Sequence, residues 1–279
     1  MRGMLRNGLI ATAIALSPAA ARAATTMVVC APGYPGSTAE AQPSMDLFAA
    51  EIARQAKLAS SAVALVYHEA EAAGIERLKQ PDARLAMVPL PFYLQHRTAL
   101  QLEAKLQVEP KGATSQETWS LVAKRGRVTS SAALAGWELI SVAAYSPRFV
   151  EKIALSDFGP LPAALKYSAT GAILSGLRRV AKGDDVVILL DAVQAASLSK
   201  LPFGDQLEVV HRSKPVPAHL VCTVGRGAND PTVQSLLATL PRLAQVETGR
   251  AALDALRLTQ FEAIESQQLT AVQRAFDAP

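Results

Sequence analysis

The sequence is poor in reactive side chains. Among its 279 residues there are two cysteines, four histidines and 5% aromatic residues. Two cysteines cannot build a Cys-rich zinc site or a disulfide-dense scaffold. His68, His96, His211 and His219 lie far apart and lack metal-ligand spacing, and His211 and His219 fall in or beside predicted strands, where a structural role is expected. There is no G-x-S-x-G, no P-loop, no G-x-G-x-x-G after a strand and no H-E-x-x-H. These absences exclude the common hydrolase, nucleotide-binding and metalloprotease patterns, imply no cofactor or metal, and give an expectation of a protein that is not an enzyme. No apolar run approaches the roughly 20 residues that cross a bilayer.

Charge of one sign is also lacking once the N-terminus is set aside. Arg2 and Arg6 precede an apolar run from Gly8 to Leu16, followed by Ser17, Pro18 and an Ala21-Arg22-Ala23 arrangement. That order is the signature of a secretory signal peptide cleaved after Ala23, which predicts a periplasmic mature chain. Its loss takes three arginines and no acid with it, leaving 25 basic against 24 acidic residues. The remaining basic groupings, Lys124-Arg125-Gly126-Arg127 and Arg178-Arg179, are too short to form a nucleic-acid-binding face.

What is present is a long alternation of short apolar strands and amphipathic helices. Strands are predicted at Thr26–Ala31, Ser61–Tyr67, Ala83–Val88, Trp137–Ala143, Val186–Leu190, Leu207–Val210 and His219–Val224, and extended segments at Leu100–Val108 and Thr118–Lys124. Helices are predicted at Ser44–Leu58, Glu69–Lys79, from Ser146 with Pro147 at its first position, and at Gly171–Ala181, Asp230–Leu240, Thr248–Leu256 and Gln260–Phe276. This is an α/β pattern of βαβ units around parallel sheets. Two such units separated by two extended stretches predict two lobes joined by two hinge strands: residues 24–121 and 222–279 in the first, 122–221 in the second. Cys30 and Cys222 each sit in an apolar strand, as two buried thiols or as a disulfide that requires those strands to be neighbours.

Ligands of open α/β sheets bind beyond the carboxyl ends of strands. In the first lobe those ends carry Tyr34, Tyr67 with His68, and Phe92 with Tyr93. In the second, Tyr145-Ser146 and the stretch holding Ser168, Thr170 and Gly171 lead into predicted helix N-termini, suited to a carboxylate or oxyanion or else to ordinary capping. Asp191 ends a buried strand.

With these segments in place the chain resembles the phosphate/phosphonate-type periplasmic solute-binding proteins of ABC transporters, which share the two-lobed type II binding-protein fold. The resemblance rests on the order of VCAPGYPGS, VYHEAEAAGIERLKQPDARLAMVPLPFYLQ, VTSSAALAGWELISVA, GDDVVILLDAVQAASL, RSKPVPAHLVCTV and ETGRAALDALRLTQFEAI. It implies that Tyr67, Tyr93, Ser146, Ser168, Thr170 and Asp191 line the inter-lobe cleft, where the strand-end reading also places Tyr34. It also implies a small-molecule ligand, an oxyanion among the candidates, and an inner-membrane permease as partner, or a membrane sensor if the fold serves signalling instead of transport. The family's Ser/Thr-Gly cluster is replaced here by VAAYSPRFVEK, with Ser146 alone, and no histidine stands near Ser168. The depleted hydroxyl cluster counts against phosphate or phosphonate as the ligand.

Overall fold

The computed structural model describes residues 24–34 and 36–279; the expected signal peptide lies outside them. Strand β1 (Thr25–Cys30) is followed by α1 (Thr38–Gln55), β2 (Val63–His68), α2 (Glu71–Leu78), β3 (Ala83–Pro89), α3 (Leu90–His96) and β4 (Leu102–Pro110). A two-residue strand, β5 (Gln116–Glu117), leads into β6 (Ser120–Lys124), β7 (Glu138–Ser141), and a short helix α4 (Pro147–Phe149) prolonged as a π-turn over Val150–Ala154. Then come β8 (Lys166–Ala169), α5 (Ile173–Lys182), β9 (Val186–Leu190), α6 (Ala192–Ala195) and β10 (Leu207–Arg212). The return runs through β11 (Val216–Pro217), β12 (His219–Val224), α7 (Pro231–Thr239), α8 (Glu247–Ala255), β13 (Leu258–Ala263) and α9 (Ser266–Asp277).

Two sheets result, one per lobe. The first has the order β13-β4-β12-β3-β1-β2 and the second β10-β6-β9-β7-β8. In each, a parallel centre (β1 with β2 and β3; β7 with β8 and β9) is extended by antiparallel strands. The central strands are buried without alternation because helices cover both faces: every residue of β1 (TTMVVC) and β9 (VVILL) is buried. One apolar cluster packs Phe48 and Ile52 of α1 and Leu236 of α7 on one face of the first sheet. The other joins Val28, Cys30 and Ala86 with Trp119, Phe149 and the strands of the second lobe.

Helix starts follow their caps. Ser37 and Glu40 form a capping box on α1, and Asp191 and Gln194 another on α6. Helix α1 begins six residues before the expected Ser44 and carries Pro43 inside it. Two other expectations are corrected. Gln260–Phe276 is not one helix, because Leu258–Ala263 pairs with β4 as strand β13 before α9 begins. Lys166–Ala169, read as part of a loop, is the exposed edge strand β8. The segments at Leu100–Val108 and Thr118–Lys124 are extended as expected but feed β4 and β6 in different sheets. The two thiols are free and buried. Strand β3 separates β1 from β12, and Cys222 is in line with Val28 two residues before Cys30, so the cysteines sit more than about 10 Å apart, beyond the reach of a disulfide.

Candidate functional site

The two chain segments that cross between the lobes lie side by side. Strands β5 and β11 pair antiparallel, Glu117 opposite Val216 and Gln116 opposite Pro217. The pairing continues on either side: Ala218 N–H donates to Ser115 O at 2.9 Å, Ser213 N–H to Trp119 O at 2.8 Å, and Trp119 N–H to Ser213 Oγ at 2.9 Å. Glu117 therefore stands on the hinge, with its side chain buried.

Loops at the strand ends close over this ribbon. Gly33 turns with φ +78°, a left-handed conformation that favours glycine, and its Cα packs on Val142 beyond the end of β7; a Cβ there would lie 3.1 Å from Val142 Cα. Gly171, which follows β8, approaches the Gly33 carbonyl in the same seam. The lobes are thus in van der Waals contact, and this is a closed arrangement. Within the seam Tyr34 lies beside Asp191, and its ring stands edge-on to His219 at a centroid distance of 5.7 Å.

The electrostatics of this group are unusual for a protein surface. Asp191 is 2% exposed; it caps α6 by accepting from Gln194 N–H at 2.7 Å, yet burial raises its pKa. Burial, and then the Asp191 charge, push Glu117 up to about 8, against a smaller pull from the Ala192 backbone N–H. Burial raises the Tyr34 phenol well above its ordinary value, helped by the nearby Glu117 and Asp191, and depresses His219 to about 4. Tyr145, from the second lobe, feels Cys30 and Glu71 of the first. Ser146 Oγ, His219 Nδ1 and Trp119 Nε1 are buried without a hydrogen-bond partner in the protein. Buried polar atoms are nearly always satisfied, so these three are suited to a bound solute or water.

The residues expected at the cleft divide into two sets. Tyr34 and Asp191 come together, and Ser146 stands buried at the N-cap position of α4 next to Tyr145. Thr170 borders the seam beside Gly171, but its Oγ1 accepts from Ala172 N–H at 3.0 Å. Ser168 donates to Glu138 at 2.6 Å within the second lobe. Tyr93 is inside the core and accepts from Gln273 Nε2 at 2.7 Å. Tyr67 is buried in the apolar cluster beneath α1, and its hydroxyl, like the three atoms above, has no partner in the protein. Glu117 and His219 join the site without having been marked for it; the only sequence signal for Glu117 was an acid within a crossing strand, two residues before a tryptophan.

Among the described residues no helix is long and apolar enough to cross a membrane, and no cluster of three metal-binding side chains occurs. Among curated proteins no sequence matches this chain. Solved structures match its fold at low identity. XAC2383 from Xanthomonas citri, bound to chloride ion, has a TM-score of 0.72 at 16% identity over 91% of this chain and 98% of its own. PhnD1 from Prochlorococcus marinus, in complex with methylphosphonate, has a TM-score of 0.63 at 15% identity over 90% and 97%. A binding-protein component of an ABC phosphonate transporter from Pseudomonas aeruginosa has a TM-score of 0.63 at 14% identity over 91% and 86%. The profile of the family described as "ABC transporter, phosphonate, periplasmic substrate-binding protein" matches residues 36–269, and the two-lobed α/β fold agrees with it. The chain belongs to that family of periplasmic substrate-binding proteins, which bind solutes for ABC transporters and are not enzymes.

Proposed function

We propose that the protein captures a small polar solute carrying a cationic, hydrogen-bond-donating group between its lobes and presents it to a membrane permease. The observation that carries this reading is the pair of buried carboxyl groups, Glu117 and Asp191, that sense each other beside Tyr34. The groups that act on this pair are burial, Tyr34, backbone N–H groups and the pair itself; no lysine or arginine is among them. A bare oxyanion placed there meets no cationic side chain; beside it stand the Asp191 carboxyl and a Glu117 carboxyl that holds its proton up to about pH 8. A protonated amine lowers the Glu117 pKa by its own charge, so that the Glu117 proton leaves to solvent and the cation pairs with both carboxylates. Ser146 Oγ and Trp119 Nε1, both buried and unpaired, are suited to donate to an acceptor elsewhere on the same solute. In this reading Tyr34, Ser146, Asp191, Glu117 and His219 line the cleft, and the lobes meet at β5 and β11.

The test is a thermal-shift series on the mature protein. One arm uses methylammonium, ethanolamine, amino acids and 2-aminoethylphosphonate; the other uses phosphate, methylphosphonate and methanesulfonate. A solute that binds the native state raises the unfolding temperature by linkage. Amine-bearing solutes are expected to raise it and Asp191→Asn to abolish the rise. Shifts from the oxyanions alone, unchanged in Asp191→Asn, would reverse the ligand class. The absence of any shift, with a membrane protein co-purifying, would favour a sensor or accessory role on the same fold.

A further inference from the structure

Besides the paired strands of the hinge, a third piece of chain touches both lobes. Helix α9 follows β13 of the first sheet, and its 12 residues extend about 18 Å. Its first turn rests on the hinge: Gln268 Nε2 donates to Gln116 Oε1 at 2.6 Å and to Pro215 O at 3.1 Å, one partner on each crossing segment. Its middle is tied to the first lobe, where Gln273 donates to the Tyr93 hydroxyl on α3.

The end of the helix is held from both sides at once. From the first lobe, Arg97 Nη2 reaches Asp277 Oδ2 at 2.5 Å. From the second, Arg148 Nε donates to Phe276 O at 2.5 Å and Arg148 Nη2 to Ala278 O at 2.6 Å, while Lys152 Nζ donates to Pro279 O at 2.6 Å. The Phe276 ring lies under both guanidinium groups, 5.9 Å from Arg97 and 5.6 Å from Arg148. The last carbonyls of a helix have no partners within it and carry its negative partial charge, so cations from neighbouring elements are well placed there. Here those cations come from two bodies that must separate when the cleft opens.

We propose that the end of α9 is a latch that stabilises the closed arrangement of the lobes, and that opening requires residues 276–279 to be released on one side, by Arg97 of the first lobe or by Arg148 and Lys152 of the second. The latch involves none of the groups assigned to the solute. It tunes the balance of open and closed forms, and through it the affinity for any solute that needs both lobes.

The test is the distance between spin labels on the intact mature chain, placed by Leu47→Cys on α1 and Leu174→Cys on α5. These positions are 65% and 45% exposed, whereas Cys30 and Cys222 are buried and stay unlabelled. The unmodified latch is expected to give a narrow distribution. Arg148→Ala combined with Lys152→Ala is expected to broaden it toward longer distances, with unchanged far-UV circular dichroism. Arg97→Ala, which frees the tail from the other lobe, is expected to do the same and decides the matter if the double variant does not fold. Lys79→Ala is the control, since Lys79 pairs with Glu76 on the surface of the first lobe. Unchanged distributions in the folded latch variants, or equal broadening in the control, would overturn the proposal.

Discussion

Gly171 in the second lobe stands so near Gly33 in the first that a methyl group on its Cα would come within 2.6 Å of the Gly33 carbonyl oxygen. The Gly171 backbone itself tolerates a side chain, since its φ lies outside the left-handed region. Gly171→Ala therefore has one relief, which is separation of the two loops. Small-to-large changes in packed seams cost about 1–3 kcal/mol, here charged against closure. The expected result is native circular dichroism with a larger radius of gyration in small-angle scattering. An unchanged scattering profile would show that the lobes do not close on this seam.

Asp191 has two roles that substitution can separate. Asparagine caps a helix about as well as aspartate, so Asp191→Asn keeps the bond from Gln194 N–H and removes only the charge. Asp191→Ala removes both, and loss of a cap costs about 0.5–2 kcal/mol. Urea unfolding should place the alanine variant below the asparagine variant by that margin, while solute binding is lost in both. Equal unfolding midpoints would mean the cap contributes nothing.

Glu117 and His219 act on stability with opposite signs. The raised pKa of Glu117 means that the folded chain keeps a proton the unfolded chain has released; this contribution is full below its ordinary value of 4.5 and is lost as pH rises to about 8. His219 is depressed from 6.5 to about 4, so its contribution is present above 6.5 and lost as pH falls toward 4. The two offset each other between 4.5 and 6.5, and Glu117 acts alone from 6.5 to 8. The unfolding temperature is expected to fall across that upper window and to be flatter in Glu117→Gln. Parallel curves for the two proteins would count against a buried protonated carboxyl.

Burial raises the thiol of Cys30 to about 12 and that of Cys222 further. The thiolate is the reactive form, so neither cysteine is expected to react with Ellman's reagent in the native protein. Two equivalents should appear on unfolding, and reductant should leave the unfolding temperature unchanged. Protection of both thiols in the unfolded, unreduced chain would reveal a disulfide instead.

How far the sequence could be read depended on what each residue buries. Val186–Leu190 announced β9 because both faces of that strand are covered and every position is apolar. Lys166–Ala169 announced nothing, since β8 is an edge strand with its ends exposed and no apolar side to display. In β13 only Phe261 is fully buried, so the sparse apolar positions of LTQFEA fitted a helical period as well as a strand until β4 supplied the pairing. Pro43 concealed the start of α1, because a proline beyond the first turn usually marks a helix boundary. At the site, Tyr34 and Asp191 were legible as strand-end residues. Tyr93 occupies the same kind of position, but α3 turns it into the core toward Gln273. Glu117 could not be singled out: its significance comes from burial next to another acid, and no local pattern encodes a neighbour 74 positions away.

The ladder between β5 and β11 restricts how the molecule can move. Two independent linkers would let one lobe twist, slide or roll against the other. Strands zipped together by Glu117–Val216 and Gln116–Pro217 resist shear and torsion and leave a single easy rotation, a bend across the ribbon. Residues on that axis barely change position during the swing, whereas those far from it travel along an arc. Glu117 is on the axis, and Tyr34 and Asp191 are carried by opposite lobes. On the proposed reading, a solute that first meets Glu117 is received at a fixed point, and the outer two residues sweep in over it along one path.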